Sequence, residues 1–270
     1  MASMVRGFYL CTLLLLSACA SLVPAPTVAP APTVAPASTV AQDTEPRESW
    51  TRVLDRFVDQ QGRVDFAGLS RDRMDLDRYV AWINHIGPNS RPELFPSRAS
   101  VLAYHLNAYN ALAMHAILDD GVPQSLAGLK KLSFFVFKHV TVGGQSLSLR
   151  AYENDVIRPL GEPRVHFALN CMAVGCPRLP REPFSAERLE EQLERETRYF
   201  FSETRNVRVD ETARTVYLSE ILDFYSKDFL SSAESLPAYV NRYRITPVPE
   251  GYSVKFIPYD WTVNRQRPGQ

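Results

Sequence analysis

The sequence lacks the short signatures that usually announce a chemistry. No nucleotide-binding glycine loop, no nucleophile-elbow serine and no HExxH pair occurs in it, so none of those activities has a local motif to rest on. Charge of one sign is missing too. Thirty basic and thirty acidic residues balance, with no Lys/Arg block and no basic stripe, so neither nucleic acid nor an anionic membrane surface is suggested as a partner. Beyond the first twenty residues no apolar stretch is long enough to cross a bilayer. Cysteine is scarce, at four residues, and no two stand as Cys-x-x-Cys, which leaves thioredoxin-like redox chemistry without its motif.

What the N-terminus does carry reads as an address. Phe8 to Leu16 is an apolar run too short for a stable spanning helix, and small residues follow it, as in a secretory signal. Leu16-Ser17-Ala18-Cys19 resembles the bacterial lipobox, which implies cleavage after residue 18 and a diacylglyceryl-modified, palmitate-bearing Cys19. Ala20 and Ser21 stand where an aspartate would retain the lipoprotein at the inner membrane, so the expected location is the outer membrane, with the chain facing the periplasm and held to the membrane through Cys19. Residues 24–41 are three tandem hexapeptides, PAPTVA, PAPTVA and PASTVA. Such proline density favours extended polyproline II, at ~3.1 Å per residue, and the stretch from 19 to 47 reads as a tether.

Cys11 leaves with the signal and Cys19 is acylated, so Cys171 and Cys176 are the thiols left to a chain in an oxidising compartment. They sit in Arg164 to Pro177, RVHFALNCMAVGCP. Alternation through Val165, Phe167 and Leu169 predicts a strand with His166, Ala168 and Asn170 on its other face, followed by a turn ended by Gly175 and Pro177. An extended strand puts Cys171 roughly 17 Å from His166, whereas a turn returns Cys176 alongside.

Helical spacing predicts helices from Glu48 to Gly62, Asp72 to Ile86 and Ser97 to Leu118, the last apolar nearly all round and therefore buried. Strands are expected from Phe134 into a Gly143-Gly144 hairpin, then a short helix capped by Ser148. A helix from Ser185 to Ser202 follows. Short strands near 207–209 and 216–218, helices at 220–230 and 236–243, and a last strand at 252–257 complete the pattern. The expected fold is α+β: a single domain over residues 48–266, with helices packed on a small, mostly antiparallel sheet.

Several blocks together carry a resemblance. Leu106-Asn107-Ala108-Tyr109-Asn110-Ala111-Leu112, Ser148-Leu149 with Glu153, Val165 to Leu169 with the two cysteines and Cys176-Pro177, Lys227-Asp228-Phe229, and Tyr259-Asp260-Trp261 with Asn264 resemble the domain of unknown function 547 family. The resemblance runs from about Glu48 to Gln266 and implies no established activity. Relatives in plants look to carry serine where this chain has Cys176. Tyr104-His105 departs from the aromatic pair that many relatives look to have, which ranks His105 below Asn107 and Asn110 as a site residue.

Two functional readings stand side by side. One is a non-catalytic binding or assembly module of the cell envelope, its cysteine loop shaped by a Cys171–Cys176 disulfide, with an envelope protein or a peptide or cell-wall ligand as partner. The other is a cysteine hydrolase or acyltransferase of papain or transglutaminase type. There Cys176 is the nucleophile, His166 the base, and Asn107, Asn110 or Asp260 orients the imidazole. Against the second, Pro177, Pro180 and Pro183 exclude the helix that in papain-like enzymes starts at the nucleophile. No cofactor motif is present, and His139, His166 and the two cysteines lack the close-pair spacing of a metal site.

Overall fold

The computed structural model describes residues 45–266, which belong to one unit of the chain, Thr39–Gln270. Cys11, the signal, Cys19 and nearly all of the proline-rich tether lie outside the described residues. Helices dominate: α1 (Arg47–Phe57), α2 (Phe66–Arg71), α3 (Met74–His85), α4 (Arg98–Asp119) and short α5 (Leu129–Leu132) precede the first strands. The hairpin β1 (His139–Val142) and β2 (Gln145–Ser148) turns at Gly143-Gly144, and Ser148 caps short α6 (Leu149–Ala151). Then come α7 (Leu189–Ser202), β3 (Val207–Asp210), β4 (Thr215–Ser219), α8 (Ile221–Phe224), α9 (Ser226–Leu230), α10 (Leu236–Asn241) and β5 (Ser253–Ile257). The α+β class is as expected, but the strands form two small sheets. β1 and β2 make one; β3, β4 and β5 make the other, in which β3 and β4 are antiparallel and β4 and β5 parallel.

α4 organises the N-terminal half. Its apolar side chains point to every side, so burial on every side is the stable outcome, and nearly every residue from Leu102 to Ile117 is buried. Ser97 starts it with a capping box: the Ser97 hydroxyl accepts from the Ser100 N–H, and the Ser100 hydroxyl accepts from the Ser97 N–H. α1, α2 and α3 pack around it with Trp50, Leu69 and Tyr79 fully buried. A second apolar cluster lies over the three-stranded sheet, built on Phe167, Phe200, Phe201, Leu218, Phe229 and Tyr239.

Two strand expectations are corrected. Ser133–Phe137 is a π turn continuing α5, and the hairpin begins only at His139. Pro163–Phe167 is a 3-10 turn, with Pro163 preset for its first position and the Glu162 carboxylate accepting from the Arg164 N–H. At three residues per turn, consecutive side chains diverge by a third of a circle instead of alternating. Val165 therefore enters the first cluster, Phe167 enters the second, and His166 is left at the seam.

Asn107 shows what a buried amide does on such a helix. Its oxygen accepts from the Trp50 indole N–H (3.3 Å) and the Phe184 N–H (2.9 Å), and its nitrogen donates to the Phe184 carbonyl (2.8 Å). Its bonds tie α4 to α1 and to the loop at Phe184, and none reaches His166. Asn107→Ala leaves these buried groups unpaired, and the expected loss is about 3 kcal/mol of unfolding free energy in a urea titration. Alkylation of Cys176 in the folded variant should keep its wild-type rate.

Candidate active site

His166 is held from one side. Its Nε2 lies 2.8 Å from Asp228 Oδ2, and the same carboxylate receives two hydrogen bonds from Arg158, at 2.8 and 2.9 Å. The bonds from His166 and from Arg158 outweigh the cost of partial burial and hold the Asp228 carboxyl well below the usual carboxylate range. A carboxylate that stays ionised at Nε2 fixes the neutral imidazole as the Nε2–H tautomer, so the lone pair sits on Nδ1. Nδ1 is buried and has no hydrogen-bond partner. The ring stacks on Tyr225 at 3.8 Å and meets Phe229 edge-on, which leaves it little freedom to rotate.

The thiols come from the loop that follows. Asn110 clamps its base, accepting from the Asn170 N–H (2.7 Å) and donating to the Ala168 carbonyl (3.0 Å). Met172 takes a left-handed backbone conformation, φ 68°, uncommon outside glycine; Asn170 Oδ1 holds its N–H and the Asn264 N–H holds its carbonyl. The C-terminal stretch runs antiparallel beside this loop, Val174 N–H donating to Thr262 and Gly175 N–H to Asp260. A Cβ on Gly175 would lie 2.9 Å from both the Asp260 nitrogen and the Tyr259 ring, so only glycine permits this approach.

That approach brings Tyr259 to the sulfurs. Its hydroxyl lies 2.9 Å from Cys176 Sγ and 3.3 Å from Cys171 Sγ, and the two sulfurs are 2.8 Å apart. Both cysteines are free thiols. The Cys171 N–H also donates to Cys176 Sγ, at 3.0 Å. Burial works against a thiolate at Cys176, but the donors converging from Cys171, Tyr259 and the backbone outweigh it and lower its pKa. Cys171, hydrogen-bonded to Cys176 and buried, is pushed well above its ordinary value. Tyr259 is raised as well, chiefly by burial, and so stays a protonated donor.

His166, Cys171, Cys176, Tyr225 and Tyr259 line one cavity of about 500 Å³. Two π turns shape its walls, a geometry that recurs at functional sites. Ser133–Phe137 supplies Phe135 and Val136, and Tyr152–Ile157 supplies Glu153 and Asn154. Glu153 accepts from the Tyr109 hydroxyl of α4 at 3.3 Å. Cys176 also lines a second cavity of about 770 Å³, with Arg178, Arg205 and Asn264 among its walls. Among the described residues no three His, Cys, Asp or Glu side chains are grouped to hold a metal ion.

The structure thus gathers Cys176, Cys171 and His166, and separates them from the other candidates. Asn110 anchors the loop and does not touch the imidazole. Asp260 is a turn aspartate, its Oδ1 accepting from the Thr262 N–H at 2.9 Å. His105, pushed down to about 4 by burial, bonds to Tyr152 in the core. The acid beside His166 is Asp228, which was not among the residues expected to orient the imidazole. The signal available was its place between Lys227 and Phe229 in a shared block; Tyr259 was legible in the same way.

The fold and site define an α+β domain with a buried histidine bonded to a partly exposed aspartate and two thiols at one cavity. Residues 95–201 match the family described as "Protein of unknown function, DUF547". No curated protein and no solved structure matches the chain.

Asp228 carries a pH signature. Its depressed native pKa contributes stability that is present above the unfolded carboxylate value, about 3.9, and is lost as pH falls through the native value. Chemical denaturation of wild type and Asp228→Asn should show a gap at pH 7 that narrows steadily below about pH 4. For the sulfurs, closing from 2.8 Å to a bond of about 2.05 Å takes less than an ångström. Mild diamide treatment of the folded protein should therefore remove both thiols together, and the bridged form should gain about 2 kcal/mol in urea.

Proposed function

We propose that this protein is a thiol hydrolase or acyltransferase in which Cys176 is the nucleophile and His166 the general base. The supporting observation is the histidine itself: Nε2 is committed to Asp228, Nδ1 is unpaired, and the ring lines the cavity that holds the Cys176 sulfur. In the proposed reaction Nδ1 takes the Cys176 proton and the sulfur attacks an acyl carbonyl. The leaving group departs with the proton from His166, leaving a thioester. Water or a second acceptor, deprotonated by the same nitrogen, then releases the acyl group and restores the thiol.

Hydrogen bonds from Tyr259 and from the Cys171 N–H take the place of the helix N-terminus that Pro177 forbids. Cys171 is the less suited sulfur, because its thiol is held in the protonated form. We further propose that the chain works as an outer-membrane lipoprotein anchored through Cys19 and facing the periplasm, with a peptide, cell-wall or acyl compound as substrate.

Iodoacetamide labelling of the reduced protein across a pH series tests the assignment. Cys176 should label with a midpoint below that of a free cysteine, and His166→Ala should slow it at least tenfold at neutral pH. Asp228→Asn, which lets the ring flip its tautomer, should produce an intermediate loss. p-Nitrophenyl acetate should be cleaved by wild type and by Cys171→Ala, and not by Cys176→Ala. Two sulfurs that label only after reduction, in protein prepared without reductant, would make this a bridged, non-catalytic envelope module instead.

A further inference from the structure

Exposed apolar side chains lie on and beside the lip of the first cavity. Leu129 is 85% exposed, Phe137 69%, Leu132 48% and, across the mouth, Phe224 45%. Leu132 and Phe224 also line the cavity, so the exposed apolar patch is continuous with its interior. Lys131 links the two sides, its Nζ lying 4.0 Å from the centre of the Trp261 ring and 5.8 Å from that of Phe224. Large apolar side chains gathered at one opening mark a surface that meets another phase or partner.

The charges on the Leu129–Phe137 side of the mouth have one sign. From Gly121 to Tyr152 the chain contains no aspartate or glutamate, while it carries Lys130, Lys131, Lys138 and Arg150. Among the described residues only Lys138 of these four is paired with a carboxylate, that of Asp120. Lys130 and Lys131 are exposed between Leu129 and Leu132, and Arg150 lines the mouth. The opposite lip balances itself, with Asp223 and Lys227 flanking Phe224. Overall neutrality hid this bias. The charge is zero over the whole chain, but a thirty-two-residue stretch holds cations alone beside protruding leucine and phenylalanine.

We propose that this lip, Leu129 to Phe137 with Phe224, is a docking surface for an anionic lipid surface, apolar side chains entering the acyl boundary while Lys130, Lys131 and Arg150 meet the head groups. Docking of this kind turns the cavity mouth toward the lipid. It does not require Cys176 to be a nucleophile, so the two proposals fail separately.

Hydrogen–deuterium exchange of the full chain, read at the amides of 128–137, is the test, because it reports this lip whatever the N-terminus does. On phosphatidylglycerol/phosphatidylethanolamine vesicles these amides should exchange roughly tenfold more slowly than on phosphatidylcholine vesicles, and Lys130→Gln/Lys131→Gln should return them to the phosphatidylcholine rate. Leu129→Ser/Phe137→Ser should do the same. Unchanged exchange in the buried α4 amides confirms that each variant is folded. Equal exchange on both vesicle types overturns the proposal. Protection that rises with protein concentration in the absence of lipid also overturns it, and assigns the lip to a second copy of the chain.

Discussion

An apolar helix without a solvent face must be enclosed, and the few polar groups it carries must find partners inside the enclosure. α4 sets that condition and the rest of the domain answers it. Four buried polar side chains on the helix reach three segments: Asn107 the loop at Phe184, His105 and Tyr109 the π turn at Tyr152–Ile157, Asn110 the approach to the cysteine loop. Enclosure supplies the drive to fold, and the polar bonds decide which segment lies where. The cavity falls beside the middle of α4, at Tyr109, where those last segments converge on the second apolar cluster.

The site is therefore a seam between two packed bodies. Val165 belongs to one and Phe167 to the other, so the residue between them is placed by both cores without being absorbed by either. Asp228 comes from the second body and the sulfurs from a loop pinned to the first. Rigidity of this kind suits a group that must keep one nitrogen bonded and the other bare, since the stacked Tyr225 ring opposes rotation.

The helices were largely legible, and for a physical reason: α1, α3, α4 and α7 are long enough for a 3.6-residue period to declare itself. The hairpin was legible from Gly143-Gly144. The stretch around His166 was misread because five residues of a 3-10 turn imitate alternation, and only Pro163 argued against a strand. Cys176 and His166 were singled out on residue type and share a cavity. The acid that completes them was not identified, because Asp228 stands sixty-two residues from His166 and nothing local distinguishes a carboxylate facing a histidine from one facing water. Asn107 and Asn110 were candidates by residue type, and their buried bonds make them loop anchors.

The seam between the cysteine loop and residues 260–264 has a further consequence for how the molecule comes into being. Tyr259 follows Cys171 by eighty-eight positions, yet supplies a hydroxyl that both sulfurs touch. During synthesis the thiols emerge long before their cover, and until the final strand docks they stand open to any oxidant they meet. The order of events, docking first or oxidation first, decides which chemical form of the loop the finished protein inherits. A nick or a bulky extension near the C-terminus acts on the same step, unmaking the thiol environment together with the bonds that residues 264–266 make to Gly62 and Val64.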